Sequence, residues 1–301
     1  MKLLFYLNSE ESIMRVKQIA VLITCHNRKD KTFACLKSLF EAKLPSGYSL
    51  DVYLVDDGST DGTEELVERE FKLVNIIRGG GDLFWAGGMR LAWKTAMEKQ
   101  SYDAYLLIND DVYLDTYFLN NLIKADEFSL KTKGGTGIYS GATVDDETKA
   151  ITYGGSKINA SHIIVKSQRL VPAEYPQSCE ITNANILWVS KEVVDKIGVF
   201  DVRFTHGIAD YDYSLRASKQ NIPVFLAPNI CGVCADDHGN NWKPANTSLK
   251  ERVAYLKSPK GLAYNEYLYY IRKHFPLFLP YSFVMLWLKV LFPFFWERLK
   301  K

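Results

Sequence analysis

The sequence carries almost no excess charge of either sign: 37 Lys and Arg against 35 Asp and Glu leave a formal net charge of +2. Nucleic-acid binding usually demands a concentrated basic face, so no nucleic-acid partner is expected. Cysteine is scarce too. The five residues Cys25, Cys35, Cys179, Cys231 and Cys234 are odd in number and scattered, which is not a disulfide framework and fits a reducing cytosol. Cys231-x-x-Cys234 with His238 lacks a second close pair to complete four ligands, so zinc is not expected. No internal repeat or low-complexity linker occurs. The apolar stretch 3–7 is too short for a signal-peptide core and runs into Glu10 and Glu11. No strand is followed by G-x-G-x-x-G, and no Walker loop is present, which argues against a dinucleotide fold of that kind and against P-loop nucleotide hydrolysis.

What is present is a chain of 301 residues, 47% hydrophobic and 24% charged, ample for one large domain or two intimate ones. Apolar runs at 18–24, 50–55, 73–77 and 102–108 read as buried strands, and the segments between them, about 31–42, 61–71 and 86–99, carry helical periodicity. Such alternation predicts an α/β fold with a mostly parallel sheet covered by helices. Asp61 is placed to cap the second helix, with Glu64 closing a capping box. Every strand ends in polar or glycine residues on the same sheet edge, where open α/β sheets bind ligands. Thr24, Asn27, Arg28, Asp57, the Gly79-Gly80-Gly81 loop and Asp111 are thereby gathered around one crevice.

The sharpest of these ends is Leu106-Leu107-Ile108-Asn109-Asp110-Asp111. Two adjacent carboxylates repel unless something positive joins them, and a divalent cation carrying phosphates would do so. The plainer reading is an acidic cap for the helical segment that begins near Thr116.

The order "TCHNR … VDDGSTDGT … GG-x-x-x-W-AGG … INDDV" resembles family 2 glycosyltransferases, which have the GT-A, Rossmann-like nucleotide-sugar fold. "TNANILWVSKEVVDKIGVFD" and "THGIADYDYSLRA" look like the acceptor-side half of bacterial rhamnosyl-like members. Asn109 departs from the family's D-x-D by standing in the first acidic place. The resemblance implies that Thr24, His26, Asn27, Arg28, Asp57, Gly80, Trp85 and Asp110 bind a UDP- or dTDP-linked donor. It also implies that Asp111 and His238 hold Mg2+ or Mn2+, which stabilises the leaving diphosphate, and that Asp210 is the base that deprotonates the acceptor hydroxyl. Arg28 has a second reading, a surface charge paired with an acid. Trp85 either stacks on a sugar face or packs beneath the glycine loop. His206 is an acceptor contact or an ordinary hydrogen-bonded core residue. Asp212 is an acceptor-side group or an i,i+4 ion pair with Arg216.

The implied organisation is 1–133 for the donor, 134–257 mixed in structure for the acceptor and base, and 258–301 a C-terminal helical tail. That tail is apolar from Phe275 to Trp296, interrupted by Pro276, Pro280, Lys289 and Pro293, with Arg272, Lys273, Arg298, Lys300 and Lys301 flanking it. It reads as an element lying in the membrane interface, as a helical cover over the core, or as a span. The expectation is an inverting transferase for cell-surface polysaccharide, cytoplasmic and peripheral on the inner face of the cell membrane, acting on a glycan or lipid-linked saccharide. A non-catalytic nucleotide-sugar-binding module is the alternative. A sugar nucleotidyltransferase would show a glycine-rich, arginine-containing loop after the first strand, and none is seen.

Overall fold

The computed structural model describes residues 15–160, 165–236 and 247–294. The first third alternates as expected: β1 (Lys17–Cys25), α1 (Lys29–Glu41), β2 (Tyr48–Asp56), α2 (Thr63–Glu70), β3 (Val74–Arg78), α3 (Phe84–Lys99) and β4 (Ala104–Ile108). There follow β5 (Tyr113–Leu114), α4 (Phe118–Lys133), β6 (Ile138–Val144), β7 (Ile151–Tyr153), β8 (Gly155–Ala160) and β9 (Val165–Arg169). The chain continues with β10 (Gln177–Ser178), β11 (Ile181–Thr182), β12 (Ile186–Ser190), α5 (Lys191–Ile197), α6 (Ala209–Lys219) and β13 (Val224–Val233). Last come α7 (Leu249–Lys257), α8 (Tyr264–His274), a 3-10 turn (Pro276–Phe278) and α9 (Leu279–Leu291).

The large sheet runs β10-β13-β6-β12-β4-β1-β2-β3, with β11-β8-β9 as a separate small antiparallel sheet. Strands β1 to β4 pair in parallel, whereas β12 lies antiparallel between β4 and β6. The chain builds outward from β1 through β2 to β3, then returns to place β4 on the other side of β1. That reversal is a topological switch point, and ligands bind outside the carboxyl ends of the two strands that flank it.

The side-chain period of two divides β1 between two cores. Ala20 and Leu22 join a core with α3, α6 and α8, while Ile19, Val21 and Ile23 join one with α1 and α4. Strand β4 does the same with Tyr105 and Leu107 against Ala104, Leu106 and Ile108. Burial on both faces is why these strands read as unbroken apolar runs.

One local expectation is corrected. Gly62, at φ 83°, takes the N-cap of α2, so Glu64 closes no box and instead pairs with Arg78. Asp61 ties two helices at once, accepting the backbone N–H groups of Lys29 (3.0 Å) and Thr63 (3.1 Å). Strand β13 runs through Pro228 to Val233 with register shifts between Leu226 and Gly232.

The segment after Ser258 is not a separate appendage. Tyr270 and Ile271 of α8 belong to the main core, and α9 buries Ser282, Leu286 and Val290. Its other side exposes Phe283, Val284, Leu288 and Leu291. No helix among the described residues is long and apolar enough to cross a membrane.

Candidate donor and acceptor site

At the switch point, the turn after β1 meets the turn after β4. Arg28 Nη1 donates to Asp110 Oδ1 and to Asp111 Oδ2, both at 2.9 Å, and Lys31 Nζ stands 4.0 Å from Asp111. The two acids are not the cap of α4. Strand β5 intervenes, α4 takes Tyr117 as its N-cap with no side-chain cap, and Asp115 holds the turn ahead of it by accepting the Tyr117 N–H at 2.8 Å. Burial pushes the Asp110 carboxyl up to about 6 against the pull of Arg28. Burial also works against the Arg28 charge, but the two carboxylates hold its pKa above the ordinary value.

Both acidic oxygens point at one cationic position, a geometry that fits a divalent ion held by two carboxylates. Mg2+ in particular is commonly bound by one or two carboxylates together with substrate phosphates. Among the described residues no group of three or more His, Cys, Asp or Glu could hold a metal, and His238 lies outside the described residues. Asn109, in the motif's first place, uses its side-chain oxygen to accept the Trp85 indole N–H at 2.8 Å, and the Trp85 ring tilts against Phe200. Trp85 therefore packs against the main core and also lines the cleft.

Asp57 organises the glycine loop. Its carboxylate accepts the backbone N–H groups of Gly81 (2.8 Å), Leu83 (2.9 Å) and Phe84 (3.1 Å), so it also caps the start of α3. Its backbone carbonyl accepts from His26 Nδ1 at 2.6 Å. That bond places the proton on Nδ1 and leaves Nε2 to accept from Asn27 Nδ2 at 3.2 Å. Asn27, at φ 51°, accepts the Thr60 N–H with its side chain at 2.7 Å, locking the two turns together. Thr24 is buried at the end of β1, and Gly88 of α3 lies so close that an added Cβ would fall 2.1 Å from Thr24 Oγ1.

These groups line a cleft of about 330 Å³ shared by Thr24, Cys25, His26, Arg28, Asp57 and Asp110 with Gly81, Phe84, Trp85, His206 and Lys260. The size suits a small-molecule site. Gly81 rather than Gly80 forms the glycine contribution. The sequence reading missed Phe84, whose φ of 53° turns the chain into α3, and Lys260, whose Nζ lies 5.8 Å over the Phe84 ring. Its one signal was the Ser258-Pro259-Lys260-Gly261 turn. Cys25 and Cys35 sit beneath the acids with their thiol pKa values pushed up by burial.

Asp210 reaches the same edge by another route. The β4–β12 ladder sets Ile186 opposite Ile108, and the Asn109 N–H donates to Asn185 O at 3.1 Å. One residue earlier, the Ala184 N–H donates to Asp210 Oδ2 at 3.1 Å. Asp210, on the first turn of α6, is thus linked through a two-residue step to the acidic turn. The neighbouring Tyr211 accepts from Asn183 Nδ2 at 3.1 Å and forms one wall of a second cleft of about 280 Å³, with Tyr267, Tyr270, Phe278 and Tyr281.

Asp212 faces away from this edge and is wholly buried. It accepts from Arg216 Nε (2.9 Å), His274 Nε2 (2.7 Å) and Lys273 Nζ (2.7 Å). Burial raises its pKa, yet the hydrogen bonds from His274 and Lys273 and the Arg216 charge outweigh it and hold the carboxyl below its ordinary range. His206 lines the donor cleft, edge-on to Phe84 at 6.3 Å.

Residues 20–160 match the model described as Glycosyl transferase family 2. No curated protein matches the chain. Among solved structures, the chain is similar to the mannosyltransferase PcManGT from Pyrobaculum calidifontis, solved with GDP-Man and Mn2+ (TM-score 0.52, 15% identity, 87% of this chain and 72% of that one). It is also similar to GalNAc-T7, solved with UDP, GalNAc and Mn2+ (TM-score 0.57, 14% identity, 81% of this chain and 49% of that one). At these identities the likeness establishes the fold, which is GT-A.

Proposed function

From the premise that residues 20–160 are a family 2 glycosyl transferase domain, we propose that the chain is an inverting glycosyltransferase. It moves a hexosyl or deoxyhexosyl group from a UDP- or dTDP-linked donor to a hydroxyl of a glycan or lipid-linked saccharide in cell-surface polysaccharide assembly. The observation that carries this reading is the convergence of Asp110 and Asp111 on one cationic point at the switch-point cleft, with Asp210 linked to the same turn.

In this reading Thr24, His26, Asn27 and Asp57 shape the nucleoside end, Asp57 acting through the glycine loop. Arg28, Lys260 and His206 face the diphosphate. Asp111 and Asp110 are the metal ligands of the protein, and Mg2+ or Mn2+, when bound, neutralises charge on the leaving diphosphate. Asp210 accepts the proton of the attacking hydroxyl as the new glycosidic bond forms, and the aromatic cleft beside Tyr211 receives the acceptor, since sugar C–H faces suit aromatic rings. The exposed apolar face of α9 is proposed to rest on the inner face of the cell membrane, where basic residues contribute on the order of 1 kcal/mol each next to anionic headgroups.

The test is hydrolysis and transfer with a panel of nucleotide sugars, with and without Mn2+. Asp111→Ala is expected to abolish metal-dependent retention of the nucleotide in calorimetry. Asp210→Asn is expected to keep donor binding and lose about 10²–10⁴-fold in turnover; near-normal turnover removes Asp210 as the base. A non-catalytic binding module, the reading favoured by Asn109 in the first acidic place, would bind the donor in wild type and never consume it. For the membrane contact, Phe283→Glu with Leu291→Glu is expected to end flotation with anionic liposomes while leaving donor binding intact.

A further inference from the structure

The cationic position between Asp110 and Asp111 is held by a side chain of the protein itself. A single nitrogen, Arg28 Nη1, lies 2.9 Å from an oxygen of each carboxylate. A divalent cation needs those same oxygens at about 2.0–2.6 Å from its own centre, so guanidinium and metal cannot share the position. The backbone of Arg28 is fixed, because its carbonyl accepts the Thr32 N–H at 2.8 Å as α1 begins. Its side chain is 36% exposed and lines the donor cleft. Leaving the carboxylates is therefore a matter of side-chain torsions and not of backbone movement, and the side chain already borders the cleft.

Charge decides when it leaves. With Lys31 already 4.0 Å from Asp111, a divalent ion entering beside Arg28 would crowd a third cation against the same two carboxylates in a part-buried setting. A diphosphate arriving alone could draw Arg28 away only by leaving two adjacent carboxylates, one of them buried, with the more distant Lys31 ammonium at 4.0 Å from Asp111 in place of a cation in direct contact with both. Arriving together, the metal takes the carboxylates and the diphosphate takes the guanidinium, which matches its planar donor fork.

We propose that Arg28 is the resident counter-ion of this site, a positioning residue that occupies the metal position until metal and nucleoside diphosphate bind together. It thereby makes each ligand the condition for tight binding of the other. The inference rests on the metal-assisted donor site proposed above and adds to it the order and coupling of binding. Coupling between two ligands is reciprocal, so the metal must strengthen nucleotide binding by the factor by which the nucleotide strengthens metal binding.

The experiment is titration of the full chain with Mn2+, following free Mn2+ by electron paramagnetic resonance, alone and with saturating UDP or dTDP. Wild type is expected to bind Mn2+ at least about 10-fold more tightly with nucleotide than without. Arg28→Met is expected to bind nucleotide-free Mn2+ about 10-fold more tightly than wild type and to lose most of the coupling. Adding Asp111→Asn to Arg28→Met should erase the gain, which assigns it to this site. Equal or weaker nucleotide-free binding by Arg28→Met overturns the proposal. Should Arg28→Met not fold, Arg28→Lys, whose ammonium lacks the planar fork, carries the same test: tighter nucleotide-free Mn2+ binding than wild type supports it, and equal binding overturns it. Failure of the glycosyl-transfer reading has a different signature, in which no nucleotide sugar is consumed while the Arg28→Met gain in metal affinity remains.

Discussion

Two clusters of acid and base face opposite fates in this molecule. In one, Asp110 and Asp111 share Arg28 at the mouth of a cleft, and the cation is partly exposed. In the other, Asp212 holds Arg216, Lys273 and His274 with its own carboxylate wholly out of solvent. The residue types are nearly the same, and the difference is placement. The first cluster sits where strands end and the backbone must turn, so its partner can be exchanged. The second joins α6 to α8 beneath the surface, where no exchange is possible and the pairing serves as a structural tie. A carboxylate with a cation is thus a site or a fastener according to whether another ligand can reach it.

The sealed cluster is the place to break first. Removing residues 259–301 deletes two of the three partners of Asp212 and the core residues Tyr270 and Ile271. The shortened chain is expected to lose its cooperative unfolding transition in urea, the opposite of what a detachable membrane tail would give. Asp212→Asn is next, leaving Lys273 and Arg216 without their buried counter-charge, at about 3–5 kcal/mol in chemical denaturation. The sign with pH follows from the depressed carboxyl. Its contribution is fully present above the unfolded value of about 3.9 and is lost as pH falls through the lower folded value. The gap between wild type and Asp212→Asn should therefore be widest near neutrality and close towards pH 3 and below.

The open cluster should respond differently. Gly88→Ala forces a Cβ against Thr24, whose Oγ1 and Cβ would lie at 2.1 and 2.8 Å. The expected cost is about 1–3 kcal/mol, visible in the melting temperature together with weakened donor binding, because β1 and α3 both border the cleft. Smallest is Lys260→Ala, expected to weaken nucleotide-sugar binding about 10-fold, or about 1.4 kcal/mol, in a salt-dependent way with the melting temperature unchanged. A large stability loss in Lys260→Ala would make it a fastener like Lys273 and erase the contrast.

The open cluster was largely legible in the sequence, because apolar runs end abruptly in polar residues and the alternation of elements brings those ends to one edge. Thr24, His26, Arg28, Asp57 and Asp110 all reach the cleft for that reason. The sealed cluster was half legible. The four-residue spacing from Asp212 to Arg216 announces an ion pair, but His274 and Lys273 come from another helix, and no local pattern encodes a contact of that range. Lys260 escaped for the same reason. The capping box at Asp61 and Glu64 failed for a local one: Gly62 reaches a left-handed conformation that others rarely adopt, which moves the cap by one residue. The apolar content of the tail was plain, but an amphipathic helix that covers a core and one that meets a membrane share the same periodicity; α8 packs into the main core, whereas α9 leaves Phe283, Val284, Leu288 and Leu291 exposed.

The contact of α8 with α6 also sets the order in which the chain becomes whole during its synthesis. The donor motifs emerge from the ribosome early, and folding generally proceeds from the N-terminal side. Asp212 is made long before Lys273 and His274, so until the ribosome reaches them α6 carries an acid with Arg216 alone of its three partners, and the cleft lacks the wall that Lys260 supplies. Nascent and prematurely released chains therefore display the recognisable sequence signature of the site without its finished architecture. The arrival of α8 is the event that closes it.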